Sequence, residues 1–419
     1  MVSRIPGFYK LTPNQRIKVM AEKVNLTKEE KLLIGREGLR IRHADQMIEN
    51  VIGVLPVPLG IAVNFKVDEE DVFIPMATEE ASVVAAASHA AKLTYDQGGF
   101  TTSYTGSIMR GQIQLIQVKQ PYHIMAKIYE KKQEIISLCN QLDQTLVKLG
   151  GGAKNIEVTV FDEYNMIVVH VIVDTKDAMG ANAVNTMIEG VTPFIEEISK
   201  EKVGIRIISN LADQRIVRAR ASFKNPLSKM ETDKFIDAYN LATIDPYRAT
   251  THNKGIMNGI TAVALATGND TRAIEAGAHA FASQGGSYST LTHWETDQDN
   301  NIVGTIEVPL AVGIVGGATY SNPIAKTAIK IMNAGSAERL ARIMAAVGLA
   351  QNFAALRALV TDGIQKGHMK LHAQNLAIMA GASANEIDLV VQKAKESNVI
   401  SFGKIKEIVE SLKRNNNNN

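Results

Sequence analysis

The amino-acid sequence predicts an α+β protein in which a ferredoxin-like βαββαβ unit is inserted into a large, mostly helical domain, with a small helical flap at the C-terminal end. Three observations predict this class. The 419 residues exceed the roughly 250–300 that one hydrophobic core accommodates, so two or three domains are expected. From about residue 110 to residue 209 the predicted elements follow the order β-α-β-β-α-β. Segments of similar character flank this unit on both sides, which indicates insertion of one domain into another.

The N-terminal part is predicted to begin with helices over the first 50 residues. Thr27 and Glu30 fit a capping box, in which each side chain satisfies a free backbone N–H group at a helix start. Two strands and an alanine-rich helix are expected next, at 58–65, 72–76 and about 79–94. Glu79 and Glu80 are placed in the first turn of that helix, where the helix dipole favours negative charge.

The inserted unit is predicted from alternating apolar residues and amphipathic segments. Its elements are a strand at 110–118, a long helix at 123–148, strands at 155–161 and 166–174, a helix at about 181–198 and a strand at 203–209. A strand at 215–223 closes the region. The remainder is predicted to be mostly helical, except at 302–320, where the sequence alternates and then breaks at Gly316 and Gly317.

Residues 369–414 are predicted to form short helices, separated at Gly381 and at 398–403. The expected domain limits are 1–108 with 216–367 for the large domain, 109–215 for the insert, 368–414 for the flap and 415–419 for a disordered tail or tag of asparagines.

Composition excludes several classes of function. A net charge of +2 with 45% hydrophobic residues indicates a globular protein and disfavours nucleic acid as a partner. Cys139 is the single cysteine, which excludes an internal disulfide and favours a reducing compartment. The nine histidines form no tight ligand cluster, so no metal is expected. No stretch approaches the ~20 apolar residues that span a bilayer, so a soluble, cytoplasmic protein without a membrane partner is expected.

One lysine stands among small and amide-bearing residues in THNKGIMNGI, residues 251–260. An apolar helix is predicted over 256–267, starting close to Lys254 and running into a Gly-Asn-Asp sequence that ends at Asp270. This layout spaces a cation and a carboxylate along one element. Taken singly, both residues have ordinary interpretations, Lys254 as a solvated helix-end charge and Asp270 as the N-cap of the next helix.

Nine short motifs occur in order along the chain. They are ENVIG (49–53), EEASVVAAAS (79–88), GGFTT (98–102), DAMGAN (177–182), DPYRATTHNKGIMNG (245–259), ATGND (266–270), GGAT (316–319), GLAQN (348–352) and GHM (367–369). Together they resemble the 3-hydroxy-3-methylglutaryl-coenzyme A (HMG-CoA) reductase family over nearly the whole chain. The DAMGAN and EE-x-S variants and the absence of a membrane anchor resemble its class II, soluble branch.

The resemblance implies a catalytic set of Glu80, Lys254, Asp270 and His368, with Glu79 and His372 as second choices. The family reaction interconverts HMG-CoA and mevalonate plus coenzyme A by two hydride transfers, through a hemithioacetal and an aldehyde. Lys254, as a buried ammonium, would stabilise the oxyanion, and Asp270 would keep it charged and aimed. Glu80 would donate a proton, and His368, delivered by closure of the flap, would protonate the coenzyme A thiolate. The dominant direction of the reaction is left open.

Substrate binding is implied for a second set of residues. Arg248 would pair with the terminal carboxylate of the substrate through its planar guanidinium. Further hydrogen bonds would come from Ser82, Asn258, Gln351 and Asn352. The alternative for this set is helix capping and satisfaction of loop backbone groups.

The resemblance places a nicotinamide dinucleotide on the insert, and no G-x-G-x-x-G sequence after a strand supports a Rossmann site. The implied binding residues are Asp143, Asp177, Ala178, Met179, Gly180, Asn182, Asn185, Asn210 and Asp213. Gly180 would let the backbone approach the pyrophosphate, whose charge the following helix N-terminus attracts. Family members that prefer NAD carry an aspartate at the place of Asp143, where it accepts from the ribose 2′-hydroxyl and repels a 2′-phosphate, so NAD is expected over NADP.

Two other functions fit parts of the pattern. Folds of the βαββαβ type also bind RNA on exposed aromatic residues, but the strands at 110–118 and 166–174 lack aromatics. An acyltransferase acting on coenzyme A thioesters would need a cysteine nucleophile, and Cys139 lies in an apolar helix stripe. The resemblance also implies a homodimer, or an oligomer of dimers, in which ENVIG contributes to the site.

Overall fold

The structure is a computed structural model that describes residues 2–35, 39–361, 373, 376–383, 385–397 and 400–416. The strands are β1 (Leu59–Val67), β2 (Glu70–Ala77), β3 (Phe100–Tyr104), β4 (Ile108–Ile116), β5 (Gly152–Phe161), β6 (Met166–Asp174), β7 (Lys202–Ile208), β8 (Ile216–Phe223), β9 (Thr292–Thr296) and β10 (Ile302–Pro309).

The helices surround two sheets formed by these strands. The first eight are α1 (Pro13–Lys23), α2 (Lys28–Ile34), α3 (Ile41–Ala44), α4 (Val83–Tyr95), α5 (Pro121–Glu130), α6 (Lys132–Leu142), α7 (Gln144–Lys148) and α8 (Ala181–Ser199). They continue with α9 (Lys229–Ile244), α10 (Pro246–Ala266), α11 (Thr271–Phe281), α12 (Gly317–Ser321), α13 (Pro323–Ile331), α14 (Ala337–Val360), α15 (Ile387–Glu396) and α16 (Phe402–Asn416). Single turns of 3-10 helix lie at Phe8–Lys10 and Asp162–Tyr164.

The larger sheet has the strand order β2-β1-β3-β8-β10-β9. Its strands pair antiparallel except β1 and β3, which run parallel where Val67 lies opposite Phe100. In the middle of the sheet Ala219 of β8 lies opposite Thr102 on one side and Ile306 on the other. Alternate residues of β8 are buried beneath α14, so one face of this sheet forms the main core.

The smaller sheet is antiparallel throughout, in the order β5-β6-β4-β7. Its connections run β4, α5 to α7, β5, β6, α8 and β7, which is the ferredoxin-like βαββαβ arrangement. Ile113 and Val169, opposite each other on β4 and β6, are fully buried with Ile188 of α8 in a second core. The predicted fold class, with its inserted ferredoxin-like unit, is confirmed.

Helix α14 forms the centre of the main core. Phe353 of α14 stacks on Phe223 with ring centroids 4.1 Å apart, and Trp294 packs beside both rings. By length and composition α14 is apolar enough to cross a membrane, contrary to the expectation that no stretch approaches that length. Its most apolar window is 67% buried, because α14 is surrounded by protein as a core helix.

Two helix boundaries differ from those predicted near the functional residues. Helix α10 begins at Pro246, with Asp245 as its N-cap, so Lys254 lies in the middle of the helix and not near its start. Helix α4 begins at Val83, so Glu79 and Glu80 precede the helix instead of forming its first turn. The Thr27–Glu30 capping box is confirmed by both of its hydrogen bonds.

The remaining differences concern short elements. The long helix predicted at 123–148 is divided into α5, α6 and α7, with breaks at Lys131 and Asp143. Strands β3 and β9 were not predicted, because each spans five residues and carries polar side chains in FTTSY and THWET. Helices α15 and α16 pack together through a small apolar cluster of their own, as expected for a C-terminal module.

Candidate active site

Lys254 and Glu80 meet at the surface of the larger domain. Lys254 lies in α10, which packs against β2, α9 and α14. Its Nζ donates a hydrogen bond to Oε2 of Glu80 at 2.9 Å, in an ion pair. The side chains are 60% and 39% exposed, so the ammonium is more open in this chain than the buried group expected from the sequence. The pair presents an ammonium and a carboxyl group at one point, as polarisation and protonation of a carbonyl oxygen require.

Glu80 is held by the short segment that links β2 to α4. The backbone N–H of Glu80 donates to Oγ1 of Thr78 at 3.1 Å. Ser82, the N-cap of α4, has a left-handed φ of 77°, a strained conformation for a residue other than glycine. Its side chain does not cap α4, so the hydroxyl is available to a ligand. Glu79 is exposed, and of the two glutamates only Glu80 contacts Lys254.

A cavity of about 570 Å³ opens beside Glu80. It is lined by Ala77, Thr78, Glu79 and Glu80, by Asn258, Thr261, Ala262 and Leu265 of α10, and by Thr271, Arg272 and Glu275 of α11. Asn258 lies one helical turn beyond Lys254 and therefore on the same face of α10. The volume falls within the range of small-molecule sites, roughly 300–1,000 Å³.

Arg248 lies in the first turn of α10 and is half-buried. None of the described side chains forms a hydrogen bond or ion pair with its guanidinium, whereas its backbone N–H donates to the Asp245 cap at 2.9 Å. Desolvation lowers the pKa of Arg248 from its ordinary value. A partly desolvated, unpaired guanidinium is suited to bidentate binding of a carboxylate.

Asp270 begins α11 and caps it. Its Oδ1 accepts hydrogen bonds from the backbone N–H groups of Arg272 and Ala273, at 3.0 and 3.1 Å, and from Nε of Arg272 at 3.1 Å. Desolvation opposes ionisation, but the hydrogen bonds from Arg272 and Ala273 outweigh it and lower the pKa of Asp270. The carboxylate that contacts Lys254 here is that of Glu80, so the pairing of Asp270 with Lys254 stays a prediction.

A buried polar network anchors α10 behind Lys254. Nε2 of His252 lies 2.7 Å from Oγ1 of Thr292, which also donates to Oδ1 of Asn352 at 3.0 Å. Nε1 of Trp294 donates to the same Oδ1 at 2.8 Å. Burial lowers the pKa of His252 to about 3, so its ring is neutral under ordinary conditions. The network fixes α10 against β9 and α14, and it thereby fixes the position of Lys254.

This network was not predicted from the sequence. His252 and Asn253 directly precede Lys254 in THNKG, and both are buried. Asn253 donates to the carbonyl of Ser289 at 2.8 Å and accepts from the N–H of Leu291 at 3.1 Å. A histidine and an amide side by side within an apolar helix could have predicted such a network, since buried polar groups need internal hydrogen-bond partners.

Gln351 and Asn352 lie on α14 and are not among the residues that line the cavity. The amide of Asn352 is occupied by the network, since its Nδ2 donates to the carbonyl of His252 at 3.4 Å. Gln351 is 6% exposed, and its Oε1 finds no hydrogen-bond partner within the described part of the chain. Their predicted contact with substrate remains a prediction, with Gln351 the better placed to offer an unused acceptor.

Residues 177–180, here called the dinucleotide loop after their predicted role, lie between β6 and α8. Gly180 is the N-cap of α8 with φ of 107°, and it leaves the first N–H groups of the helix without a side-chain cap. A Cβ at Gly180 would lie 2.4 Å from Cγ2 of Thr175, so only glycine fits there. Free N–H groups at the start of a 19-residue helix form a site that fits a pyrophosphate. Asp177 is held by the N–H of Ala337, which donates to its Oδ1 at 2.8 Å.

Asp143 lies between α6 and α7, and its Oδ1 accepts from the N–H of Leu146 at 2.9 Å, which explains the break in the predicted helix. The turn that follows α7 adjoins the end of β6, because a Cβ at Gly150 would lie 3.6 Å from Cε of Lys176.

The other residues predicted to bind the cofactor surround the start of α8 and the end of β7. Asn182 and Asn210 are exposed. Oδ1 of Asn185 accepts from the N–H of Ile208 at 2.9 Å, which ties α8 to β7. Asp213 lies 3.8 Å from the guanidinium of Arg110. The side chain of Asn185 thus has a structural contact, whereas the exposed side-chain amides of Asn182 and Asn210 can donate hydrogen bonds to a ligand.

The dinucleotide loop and the loop before Asp270 meet at residues 312–314. The N–H of Gly313 donates to Oδ1 of Asn269 at 2.8 Å, and the N–H of Ile314 donates to the carbonyl of Asp177 at 2.9 Å. A Cβ at Gly313 would lie 2.6 Å from the backbone nitrogen of Met179, so the two backbones touch. The structure thus brings together two sets of predicted residues from different domains.

Three further expectations concern His368, His372 and Cys139. The two histidines lie outside the described residues. Cys139 is buried, and desolvation raises the pKa of its thiol to about 12, which disfavours the acyltransferase alternative because a nucleophilic cysteine must ionise. In the described ranges, no group of three His, Cys, Asp or Glu side chains is placed to hold a metal ion.

The chain is similar to known proteins along almost its full length. The sequence model for hydroxymethylglutaryl-coenzyme A reductase matches residues 12–373. The chain is 55% identical over 417 residues to 3-hydroxy-3-methylglutaryl-coenzyme A reductase of Archaeoglobus fulgidus, which covers 99% of this chain and 95% of that protein. A probable reductase of the same name from Borreliella burgdorferi is 38% identical, with 89% of this chain and 88% of that protein covered.

Solved structures agree with the sequence comparisons. The 3-hydroxy-3-methylglutaryl-coenzyme A reductase of Streptococcus pneumoniae superposes with a TM-score of 0.82 at 39% identity, covering 97% of this chain and 99% of the other. A structure of the class II enzyme from the same organism, bound to NADPH in open conformations, also gives 0.82 at 40% identity, over 85% of this chain and 99% of the other. The fold defines an α+β oxidoreductase with an inserted ferredoxin-like unit. The chain belongs to the hydroxymethylglutaryl-coenzyme A reductase family, in its class II branch.

Proposed function

We propose that this enzyme interconverts HMG-CoA and mevalonate plus coenzyme A, through a hemithioacetal and then an aldehyde. The observation that carries the proposal is the 2.9 Å contact between Lys254 and Glu80 at the edge of a cavity of ligand size. Family membership supplies the reaction class. The pair supplies the two groups that such a reduction needs at the carbonyl oxygen, a cation and a proton donor.

Each reduction places negative charge on a carbonyl oxygen, and a nicotinamide dinucleotide supplies the hydride. The ammonium of Lys254 stabilises that charge, and Glu80 donates a proton to the oxygen. Asp270 keeps Lys254 charged and oriented in the complete site. When the hemithioacetal collapses, the carbon–sulfur bond breaks and His368 protonates the departing thiolate.

Substrate is held by residues on both sides of the pair. Arg248 binds the terminal carboxylate, since its half-buried guanidinium has no partner in the described chain. Ser82 and Asn258 donate hydrogen bonds from the segment before α4 and from the face of α10. Gln351 and Asn352 act from α14, where burial of Asn352 makes its contribution indirect.

The cofactor binds on the insert, with its pyrophosphate at the dinucleotide loop and the start of α8. The Streptococcus pneumoniae relative bound to NADPH supports a nicotinamide dinucleotide. We propose that NAD is preferred over NADP, because Asp143 uses Oδ1 to cap α7 and keeps Oδ2 for a ribose hydroxyl. Asn182, Asn185, Asn210 and Asp213 border the same region.

A homodimer is proposed because the segment 41–57 carries apolar side chains that the single chain leaves uncovered. Ile52 and Leu55 are 98% and 89% exposed, and Ile48 is 66% exposed. Ile244 and Tyr247, at the junction of α9 and α10, are exposed to a similar degree. A second copy that covers these surfaces would bring ENVIG to the site.

The proposed domain limits are 1–108 with 216–367, 109–215, and 368–414. They are supported by the strands at which the chain passes between the sheets, since β4 begins at Ile108 and β8 begins at Ile216. We also propose a cytoplasmic location, because the chain is similar to bacterial and archaeal reductases of the class II type.

The test is oxidation of NADH, or of NADPH, by the purified protein with HMG-CoA. Two reduced cofactors oxidised for each coenzyme A released, with mevalonate as product, support the proposal. One oxidised cofactor per coenzyme A would identify an enzyme that stops at the aldehyde. No oxidation by a folded protein would contradict the proposed reaction.

A further inference from the structure

Arg215 is a fully buried arginine between the two domains. It precedes β8 directly, and its side chain is 0% exposed. Its backbone joins the domains as well, because its N–H donates to the carbonyl of Ala212 and its carbonyl accepts from the N–H of Leu310. The guanidinium therefore lies where the chain leaves the insert and returns to the larger sheet.

The guanidinium binds oxygen atoms from both sides of this junction. Nη1 donates to Oγ1 of Thr175 at 3.0 Å and to the carbonyls of Ala178 and Met179 at 3.1 and 3.3 Å. Nη2 donates to the carbonyl of Val312 at 2.5 Å. The acceptors belong to the dinucleotide loop and its approach on one side, and to residues 312–314 on the other.

The charge of Arg215 is held by neutral oxygens. Burial lowers the pKa of Arg215, while Tyr104, Asp174 and Asp177 act in the opposite direction. Its Nε finds no hydrogen-bond partner among the described residues. A buried charge adds little stability compared with a well-packed apolar side chain, so stability alone does not account for an arginine here. The shape of the guanidinium does explain why an arginine occupies this position, since a planar group with several N–H donors reaches carbonyls on two separate segments at once.

The segment that Arg215 holds also contacts the catalytic side. Gly313 follows Val312 directly, and its N–H donates to Asn269, the residue before Asp270. The backbone of Gly313 touches Met179 in the dinucleotide loop, and Asp177 accepts from the N–H of Ile314. Movement of residues 312–314 would therefore move the dinucleotide loop relative to the loop that carries Asp270.

We propose that Arg215 is a positioning residue for hydride transfer, which holds the dinucleotide loop in register with the loop that carries Asp270. This inference rests on the proposed function, in which the cofactor binds at the dinucleotide loop. Arg215 touches neither substrate nor cofactor; it acts through the carbonyls of Ala178, Met179 and Val312. A second contribution is its positive charge beneath a loop that receives a pyrophosphate.

The test compares Arg215→Lys and Arg215→Met with the unmodified enzyme. Lysine keeps the charge but cannot reach both segments with one planar group, and methionine loses the charge too. We expect the KM for NADH to rise and kcat to fall about 10- to 100-fold in Arg215→Met, because small misplacements of reacting groups have effects of this size. Arg215→Lys should recover part of the loss, and the KM for HMG-CoA should change less than about twofold in both.

Arg342→Lys is the matched control. Arg342 is an arginine of the larger domain with a side chain 23% exposed, and it donates to the carbonyl and hydroxyl of Thr102. It contacts neither the dinucleotide loop nor residues 312–314. Its replacement should lower the melting temperature without changing the KM for NADH. Gly313→Ala is a second, independent variant, since its added methyl group separates the same two backbones while Arg215 stays in place.

The binding of NADH can also be measured directly, through the fluorescence of the nucleotide, without any turnover. Weaker NADH binding in Arg215→Met and Gly313→Ala, but not in Arg342→Lys, supports the role of Arg215. Unchanged NADH binding and kcat in folded Arg215 variants of an active enzyme would overturn it. An unmodified protein that neither binds nor oxidises NADH would instead contradict the proposed function.

Discussion

Glu80 and Lys254 form an ion pair of 2.9 Å across 174 residues of sequence. One residue lies in a linker before α4 and the other in the middle of α10, so the contact depends on the packing of β2 against α10. The buried network of His252, Thr292 and Asn352 fixes α10 from behind. The position of the ammonium is thus set by the core of the larger domain.

Asp270 is expected to act through its charge. Asparagine at this position keeps an N-cap acceptor for α11 but removes the carboxylate. We therefore predict that Asp270→Asn lowers kcat about tenfold or more in a protein that still folds. Asp297→Asn is the control: Asp297 is an exposed aspartate between β9 and β10 that accepts from the N–H of Asn301, and its replacement should change kcat less than about twofold. Equal effects of the two substitutions would argue against a catalytic role for Asp270.

The same aspartate should contribute to the pH dependence of stability. Its pKa is lowered in the folded protein from the ordinary 3.8, so its contribution is complete above that value and is lost as the pH falls through the folded pKa. Urea unfolding of the enzyme and of Asp270→Asn should therefore give curves that differ at pH 5 and converge on stronger acidification. A constant difference down to the most acidic condition would contradict this.

His252 should make the protein sensitive to mild acid. Burial lowers its pKa from 6.5 to about 3, so below pH 6.5 the unfolded chain binds a proton that the folded chain does not. Stability then falls as the pH falls between these values, by up to about 1.4 kcal/mol per pH unit. His252→Gln keeps a polar group towards Thr292 and should show a flatter dependence in urea titrations from pH 7 to 4. Parallel curves would show that His252 is not the group responsible.

Asp143 should set the choice between NADH and NADPH. Asparagine retains the oxygen that caps α7 and removes the negative charge, so the fold is preserved while repulsion of a 2′-phosphate is relieved. We predict that Asp143→Asn raises kcat/KM for NADPH relative to NADH by about tenfold. The ratio is measured by steady-state kinetics at fixed HMG-CoA. An unchanged ratio would mean that another group selects the cofactor.

The exposed segment 41–57 predicts a dimer interface. Ile52→Asp places a charge on a side chain that is 98% exposed in the single chain, so it should shift the protein from dimer to monomer without unfolding it. Light scattering coupled to size exclusion measures the mass. Ile205→Asp, on a 60% exposed residue of β7 in the insert, should leave the mass unchanged. A dimer that survives Ile52→Asp would place the interface elsewhere.

Much of the fold follows from local patterns. The alternation in β4, the apolar run in β6 and the capping box at Thr27 and Glu30 were sufficient to predict those elements. The start of α10 was missed because Asn, Gly and Thr residues obscured its helical pattern, although Asp245 and Pro246 are typical of a helix N-terminus. Five-residue strands such as β3 carry too little periodicity to be recognised alone.

The candidate active site could not be predicted from local patterns, because its residues come from distant parts of the chain. Local patterns predicted only a charge in a first helical turn for Glu80 and a solvated charge at a helix end for Lys254. The resemblance to a family was needed to predict that both belong to one active site. Arg215 gave no sequence signal, since it is one of several arginines in RIVRARASF and only tertiary structure distinguishes it from Arg218 and Arg220. Asp270 shows the opposite case, because its capping role was predictable from Asp before a helical run.

The most direct test of the account is the activity of Lys254→Ala with HMG-CoA and NADH, beside Lys234→Ala as an exposed lysine control. We predict that kcat falls about 100- to 1,000-fold or more in Lys254→Ala, because loss of one oxyanion partner has effects of this size, while NADH binding and the melting temperature are retained. Lys234→Ala should keep its activity. A folded Lys254→Ala enzyme with kcat within about threefold of the original would contradict the central role of the Lys254–Glu80 pair.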